Sequence, residues 1–465
     1  MQILFALTLA GCVQLPELKQ PAPDLPKSWP ATTEKSTDLA AADWWTVYAN
    51  PTLDSLIAEA LANNSDIRLA AARIEEARGA VGLADADRYP GLNVQASSAR
   101  TKVSERGVNP VPGDTINNSN KASFLAAYEL DLWGRYRNAS EAARADLLAT
   151  QYAAQVIRAS LAANVARAYF SLTTLDAQRR VAEQTLGNRR EAVNLQRLRL
   201  EGGMAGELEL RQAEAELAGV EVSLAQLTRQ VRQQELALVV MLGWEPRRIS
   251  DEVVARSGTP DANPPAVPAG LPADLLLRRP DLRQAEQNLL AAQARMRETR
   301  AAIFPDLALT AYLGSESKGL SDLFSGGAGV WGLTASVVQT VFNAGRTEAA
   351  VKATAARQEQ LLASYEKGVR NAFREVLDAL VSHRQARETA EAEARRMAAF
   401  GKAAELAALR HDNGMTSYLE VLDAQRNLFQ AQVNNLDARR AQLAAVADLA
   451  LALGGGWREA DVVKP

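Results

Sequence analysis

Few residues in this chain could do chemistry, and each points away from catalysis. Cys12 is the single cysteine, so no intrachain disulfide can form. It follows Leu9-Ala10-Gly11 and the apolar stretch from Ile3 to Leu9. Small residues ahead of a cysteine make a lipobox, whose thiol becomes diacylated once the leader is removed. A covalent lipid on Cys12 is therefore expected, and no other cofactor. Residues 1–11 read as the signal peptide; they are fewer than a full one needs and carry no Lys or Arg, which fits a true start upstream. Val13 stands where Asp would mark retention at the inner membrane, so the outer membrane is the expected destination. The two histidines, His383 and His411, fall on predicted helices. No metal-ligand cluster, nucleophile motif or phosphate loop accompanies them; they read as exposed helical residues, and neither an enzyme nor a metal site is expected. The last group is Leu419, Asp423 and Arg426, which share one helix face by the i+4 and i+3 rule. If several chains brought this face to a common axis, Asp423 beside Arg426 would form a charged constriction and Leu419 an apolar one. Spacing alone favours the plainer reading, an ordinary exposed ion pair.

These residues lie just after a predicted turn. Leu409 to Leu428 reads as the end of one helix, a tight turn at Asn413-Gly414 and the start of another helix. Both turn residues tolerate positive φ. Thr416 or Ser417 could N-cap the second helix, with Glu420 completing a capping box. Leu198 to Leu217 repeats the pattern: Gly203, Met204, Leu208 and Glu209 fall on Gly414, Met415, Leu419 and Glu420, an offset of 211 residues. Trp133-Gly134-Arg135 and Ala344-Gly345-Arg346 keep that offset, as do Leu242-Gly243 and Leu453-Gly454. The chain is two copies of one unit, each bent at a helical hairpin tip.

Each copy has the same internal order. Residues 12–43 form a Pro-rich lipidated tether, and residues 44–244 the first repeat. Its apolar residues switch from a helical to a two-residue period at Pro90. A β-hairpin is expected at about 91–133, with Glu105 to Asn120 as its loop. A long helical hairpin comes next, with its tip near Gly203. Residues 245–272 read as an irregular linker at mid-height, packed beside Trp44-Trp45 and the C-terminal tail. Residues 273–454 are the second repeat, with a β-hairpin at about 306–342, a connecting loop from Gly314 to Gly329 and a tip near Gly414. Residues 455–465 form the tail. Leu210, Ala213, Leu217, Val220, Leu224, Leu227 and Val231 make a heptad seam. Leu419, Leu422, Phe429, Val433, Leu436 and Leu443 are its expected counterpart. The fold class is thus mainly α with a membrane β-barrel portion: duplicated, long, antiparallel coiled-coil helices forming an α-barrel, with four β-strands per chain.

Aromatics are only 5% of the chain, which suits closely packed, Ala-rich helices over a bulky core. A net charge of −3, with no basic block, gives no sign of nucleic acid. No apolar run is long enough for a transmembrane helix. Four amphipathic strands cannot stand alone in hydrocarbon, where unpaired edge groups cost several kcal/mol each. Two, three or four chains would give closed barrels of eight, twelve or sixteen strands. A lipid-anchored coiled-coil scaffold with no pore would explain Cys12 and the heptads, but not the duplicated amphipathic hairpins.

The sequence resembles the TolC family of outer-membrane channels, specifically its NodT-like efflux lipoproteins. The resemblance rests on Leu9-Ala10-Gly11-Cys12, Trp44-Trp45 with Asn50-Pro51, Glu129 to Arg135, Leu276 to Arg283, Phe342 to Arg346, Leu422 to Arg426 and Gly454 to Trp457. It implies a homotrimer with one twelve-stranded barrel in outer-membrane lipid and a long periplasmic helical tunnel. Such a duct is bound by a periplasmic adaptor protein and energised by an inner-membrane transporter of the RND type. By the same resemblance Leu419, Asp423 and Arg426 line a closed periplasmic aperture. The turns at Gly203, Met204, Gly414 and Met415 would dock the adaptor. The founding member carries an acidic pair where this chain has Glu420 and Asp423; its tyrosine–arginine lock has no counterpart, since His411 and Thr416 stand there. The expected function is small-molecule efflux. The alternative is protein export with an ABC transporter.

Overall fold

The computed structural model describes residues 39–106, 115–256 and 278–463. The leader, Cys12, the tether up to residue 38, and residues 257–277 of the linker region lie outside them. Two short helices open the fold: α1 (Pro51–Asn63) and α2 (Ser65–Ala86). The Asn50 side chain caps α1 by accepting from Leu53 N at 3.1 Å, and Pro51 follows at the first helical position, where its missing N–H costs nothing. The hairpin β1 (Gly91–Lys102) and β2 (Ile116–Glu129) then leads into α3 (Arg135–Glu201) and α4 (Glu207–Met241). After α5 (Pro246–Asp251), the second copy runs α6 (Pro280–Ala301), β3 (Asp306–Ser317), β4 (Gly329–Val338), α7 (Arg346–Asp412) and α8 (Tyr418–Ala452). α3 and α7 have 67 residues each, which makes them about 100 Å long.

Both long helices start at a glycine with positive φ, Gly134 and Gly345, each at 79°. Asp131 caps α3, accepting from Tyr136 N at 3.3 Å and Arg137 N at 2.8 Å. At the same junction the Trp133 ring stacks on Phe304 with centroids 4.7 Å apart, and its N–H donates to the Pro305 carbonyl at 2.8 Å. The two repeats are thereby pinned together where strands become helices.

The strands form one antiparallel sheet, ordered β1-β2-β3-β4. Its register aligns apolar rows on one face: Val94, Phe124, Leu313 and Trp331, then Leu92, Ala126, Ala311 and Leu333. Phe124, Leu313, Trp331 and Leu333 are all exposed in the single chain. The opposite face carries Asn93, Gln95, Lys121, Ser123, Thr310, Tyr312 and Glu316. One wall is therefore fit for lipid and the other for water, and β1 and β4 are left as unpaired edges. Among the described residues no helix is long and apolar enough to cross a membrane.

Several local expectations need correction. The first strand loop is shorter than Glu105 to Asn120, because Ile116 already pairs with Lys102. The Asn-rich run 117–120 looks like loop by composition, yet its backbone completes the ladder. β3 likewise continues through Ser317, and the rest of that loop contains a short 3-10 turn at Leu320–Asp322. β4 ends at Val338, short of the expected hairpin end near 342. The linker is not wholly irregular, since Pro246 starts the short helix α5. It packs on α1, α3 and α4 through Arg248 to Glu59 and Arg256 to Asp176 and Glu235.

The main core sits at mid-height. Tyr48, Tyr169, Phe170, Leu172, Leu238 and Leu449 are buried there, and Tyr48 donates to the Leu443 carbonyl at 2.8 Å. Ala162, Ala163 and Ala166 of α3 and Ala447 and Ala450 of α8 are buried in the same cluster. Small side chains let these helices approach closely, the structural use of an alanine-rich composition. The C-terminal glycines close the belt: Gly456 N donates to the Ala41 carbonyl at 2.9 Å, and Gly455 lies against Leu39 and Trp44.

Candidate functional site: the helical hairpin tips

The two tips are built alike. α3 ends with Met204 N donating to the Arg199 carbonyl at 2.7 Å; α7 ends with Met415 N donating to the Arg410 carbonyl at 2.9 Å. This six-to-one bond around a left-handed residue is a Schellman closure. Gly203 (φ 68°) and Gly414 (φ 72°) supply that residue. Asn413 does not share the role: its φ is −91°, and its side chain instead donates to the Leu409 carbonyl at 2.7 Å.

The expected capping box is also absent. Ser417 occupies the N-cap of α8 without a side-chain bond. Glu420 turns to the Thr416 hydroxyl, with Arg410 at 3.7 Å from its carboxylate. Arg410 draws it across the turn, away from the backbone N–H it would otherwise accept from.

Each tip exposes the same apolar trio, at equivalent positions: Leu198, Met204 and Leu208 on one, Leu409, Met415 and Leu419 on the other. Met204 and Met415 are 77% and 69% exposed. Leu419, expected on the seam within the chain, is 54% exposed. Val421 and Leu422 are buried instead, while Tyr418 packs against the Val193, Leu210 and Ala213 cluster. The helix is thus packed through Tyr418, Val421 and Leu422, which leaves Leu419 free to share the outer face with Asp423 and Arg426. All three are exposed.

That face is held from behind by residues the sequence pattern does not single out. Arg426 donates to Glu216 of α4 at 2.8 Å. Glu216 also lies 3.9 Å from Arg189 of α3, whose guanidinium donates to Gln425 at 2.5 Å. Arg189 is buried at 3% exposure. Burial lowers its pKa, Glu216 opposes that shift, and nearby Arg426 adds to it; an arginine remains charged through such a shift. One carboxylate thus serves two guanidiniums from different helices and ties the second tip to the first. No periodicity signals such a bond, since its partners are 210 residues apart. Asp423 accepts from Asn427 at 3.2 Å, not from Arg426, so the expected Asp423–Arg426 pair does not form within the chain.

The histidines are less open than expected: both are half-buried, and the His411 ring lies 5.5 Å from that of Tyr418. Burial raises the Tyr418 hydroxyl above its ordinary pKa. Among the described residues no group of His, Cys, Asp and Glu is arranged to hold a metal ion.

A two-repeat chain with exposed tips at one end and an open amphipathic sheet at the other is a recognisable whole. The sequence profile of the outer membrane efflux protein family matches residues 56–244 and 271–455. The chain belongs to the outer membrane efflux protein family. It is similar to the cation efflux system protein CusC of Escherichia coli O6:H1, 34% identical, with 98% of each chain covered. It is also similar to the solvent efflux pump outer membrane protein SrpC of Pseudomonas putida, 35% identical over 98% of this chain and 97% of that one. A crystal structure of CusC superposes with a TM-score of 0.85 at 32% identity, covering 95% of this chain and 99% of that one. As an outer membrane efflux protein the chain is a passive channel of a tripartite pump, which favours efflux over protein secretion. It acts as a trimer with an adaptor and an inner-membrane RND transporter, and reaches into the periplasm as an α-barrel. The unpaired edges of β1 and β4 are where neighbouring protomers complete the barrel. The family needs no cofactor.

Proposed function

We propose that this duct is gated at its periplasmic tips by Leu419, Asp423 and Arg426. The observation that supports this most directly is that all three lie exposed on one face of α8, outside the seam that binds the helices within the chain. Three copies around the axis place three carboxylates, three guanidiniums and three leucines in one constriction. The resting duct is shut there, and opening is an equilibrium between two packings that the channel itself does not energise. The turns at Gly203-Met204 and Gly414-Met415 are the adaptor's docking points. Their exposed methionines are soft and adaptable side chains for such an interface. Cys12 carries the lipid that holds the N-terminal tether at the membrane. Its removal by Cys12→Ser should abolish acylation, detectable as a loss of mass, while leaving the trimer intact.

The duct carries small molecules selected mainly by its partner pump. Relatives named for cations and for solvents match this chain at 34% and 35% identity over nearly its whole length, so overall likeness to either does not sort the cargo. Replacing Asp423 and Arg426 together by alanine should raise the resting conductance of the trimer in a planar bilayer. Unchanged conductance would remove them as the constriction.

A further inference from the structure

The lipid-facing wall of the sheet carries only two charged side chains on its strands, and both are cations at the same end. By the register, the face of Leu92 and Val94 continues through Ala96 and Ser98 to Arg100 and Lys102. The acidic strand residues Glu129, Asp306 and Glu316, and the strand cation Lys121, fall on the other face. Arg100 and Lys102 are exposed and make no ion pair among the described residues. The helices leave from the Gly91, Glu129, Asp306 and Val338 ends of the strands; Arg100 and Lys102 therefore lie at the cell-exterior end.

Their height can be worked from strand geometry. Ten residues rising about 3.4 Å each, tilted about 40°, span about 26 Å, close to the height of a barrel's apolar band. Counting along β1 itself from Leu92, its first apolar residue, the exterior edge of the band falls at Lys102. Arg100 stands about 5 Å inside that edge, on the same face. From there long basic side chains keep their stems along apolar surface and carry their charge into the polar headgroup layer.

We propose that Arg100 and Lys102 form a binding site for the phosphates of outer-leaflet glycolipid, the diphosphorylated lipid A of lipopolysaccharide, one pair of cations per protomer around the trimer. The inference rests on the family's barrel spanning the outer membrane. A guanidinium and an ammonium at the top of an apolar wall, paired with no acid among the described residues, complement a lipid with phosphates above its acyl chains.

The test is native mass spectrometry of the full-length trimer titrated with diphosphorylated lipid A, with dephosphorylated lipid A and inorganic phosphate as comparators. Retention should fall roughly fivefold for each cation removed, in Arg100→Gln and Lys102→Gln, as expected for basic residues at an anionic lipid surface. The wild type should hold dephosphorylated lipid A no better than the double variant holds the phosphorylated form. Arg100→Lys with Lys102→Arg should retain binding, and Lys121→Gln, on the opposite face, should match the wild type. Equal retention by the double variant would overturn the proposal, as would loss of binding in the charge-keeping variant. Displacement by inorganic phosphate alone would show a simple anion site instead of a lipid site, and would also overturn it. Trimer mass and channel conductance, read on the same samples, separate failure of this inference from failure of the duct reading.

Discussion

Replacing Glu216 with glutamine tests whether the tip is held shut through Arg426. The Arg426–Glu216 contact is 2.8 Å, with side chains 56% and 23% exposed. A half-exposed pair of this kind is worth about 0.5–1 kcal/mol after solvent screening. Three protomers act on one aperture, so a concerted opening would collect about 1.5–3 kcal/mol, a factor of roughly 10–150 in the open-to-closed ratio. Glu216 also sits 3.9 Å from the buried Arg189, so its loss leaves a desolvated guanidinium with only Gln425, and the effect should fall in the upper part of that range. The assay is open probability of single trimers in planar bilayers, for Glu216→Gln, Arg426→Gln and the double variant. Glu216→Gln should raise resting opening, and should add less in the Arg426→Gln background than alone. An undiminished effect in that background would show that Glu216 does not act through Arg426. No effect in either background would refute the tether.

Gly243→Ala should lower thermal stability sharply, because φ is 73° and a Cβ would collide with the Asn63 carbonyl; Gly345→Ala, at φ 79° with open space around it, should cost only about 1–2 kcal/mol of backbone strain. Thermal melts of the two variants should rank in that order. Burial would raise the Glu235 pKa, but hydrogen bonds from Arg232 and Val254 N and the charge of Arg256 bring it below the ordinary carboxylate range. Its contribution to stability is then present above about pH 4.5 and lost as pH falls through the lowered folded value. Glu235→Gln should therefore flatten the acid limb of the stability profile and speed hydrogen exchange at residues 252–256. Gly414→Ala should loosen the second tip and weaken adaptor binding in a titration, with little change in the melting temperature of the mid-height belt.

The long helices are legible in the sequence because their signals are local and repeated. The prolines and glycines bound each one, and a heptad seam runs between Leu210 and Val231 within α4. The strands are legible on their apolar rows but not at the exterior rim, where Asn117, Asn118 and Asn120 pair through backbone atoms that side-chain type does not report. The face of Leu419, Asp423 and Arg426 is visible in the spacing. Its intrachain support is not, because Arg189, Glu216 and Gln425 come from three helices that meet only after both hairpins pack. Spacing puts Leu419 on the seam and also on one face with Asp423 and Arg426. The structure keeps Leu422 on the seam, adds Val421 and leaves Leu419 exposed, as set by the phase at which α8 packs.

The mid-height belt has a consequence for assembly. Gly456 hydrogen-bonds to Ala41, and Trp457 packs edge-on against Tyr152 with centroids 5.9 Å apart. Ala41 thus meets a residue more than four hundred positions later. The order of synthesis becomes an order of construction: the first hairpin can bend and its tip can close early, but the ring around the waist stays open until the ribosome has read past Trp457. A protomer interrupted late in translation would have complete tips and all four strands, yet nothing to clasp its waist. Trp44 and Tyr152 would stay uncovered, which marks the fragment as unfinished before it could enter a trimer.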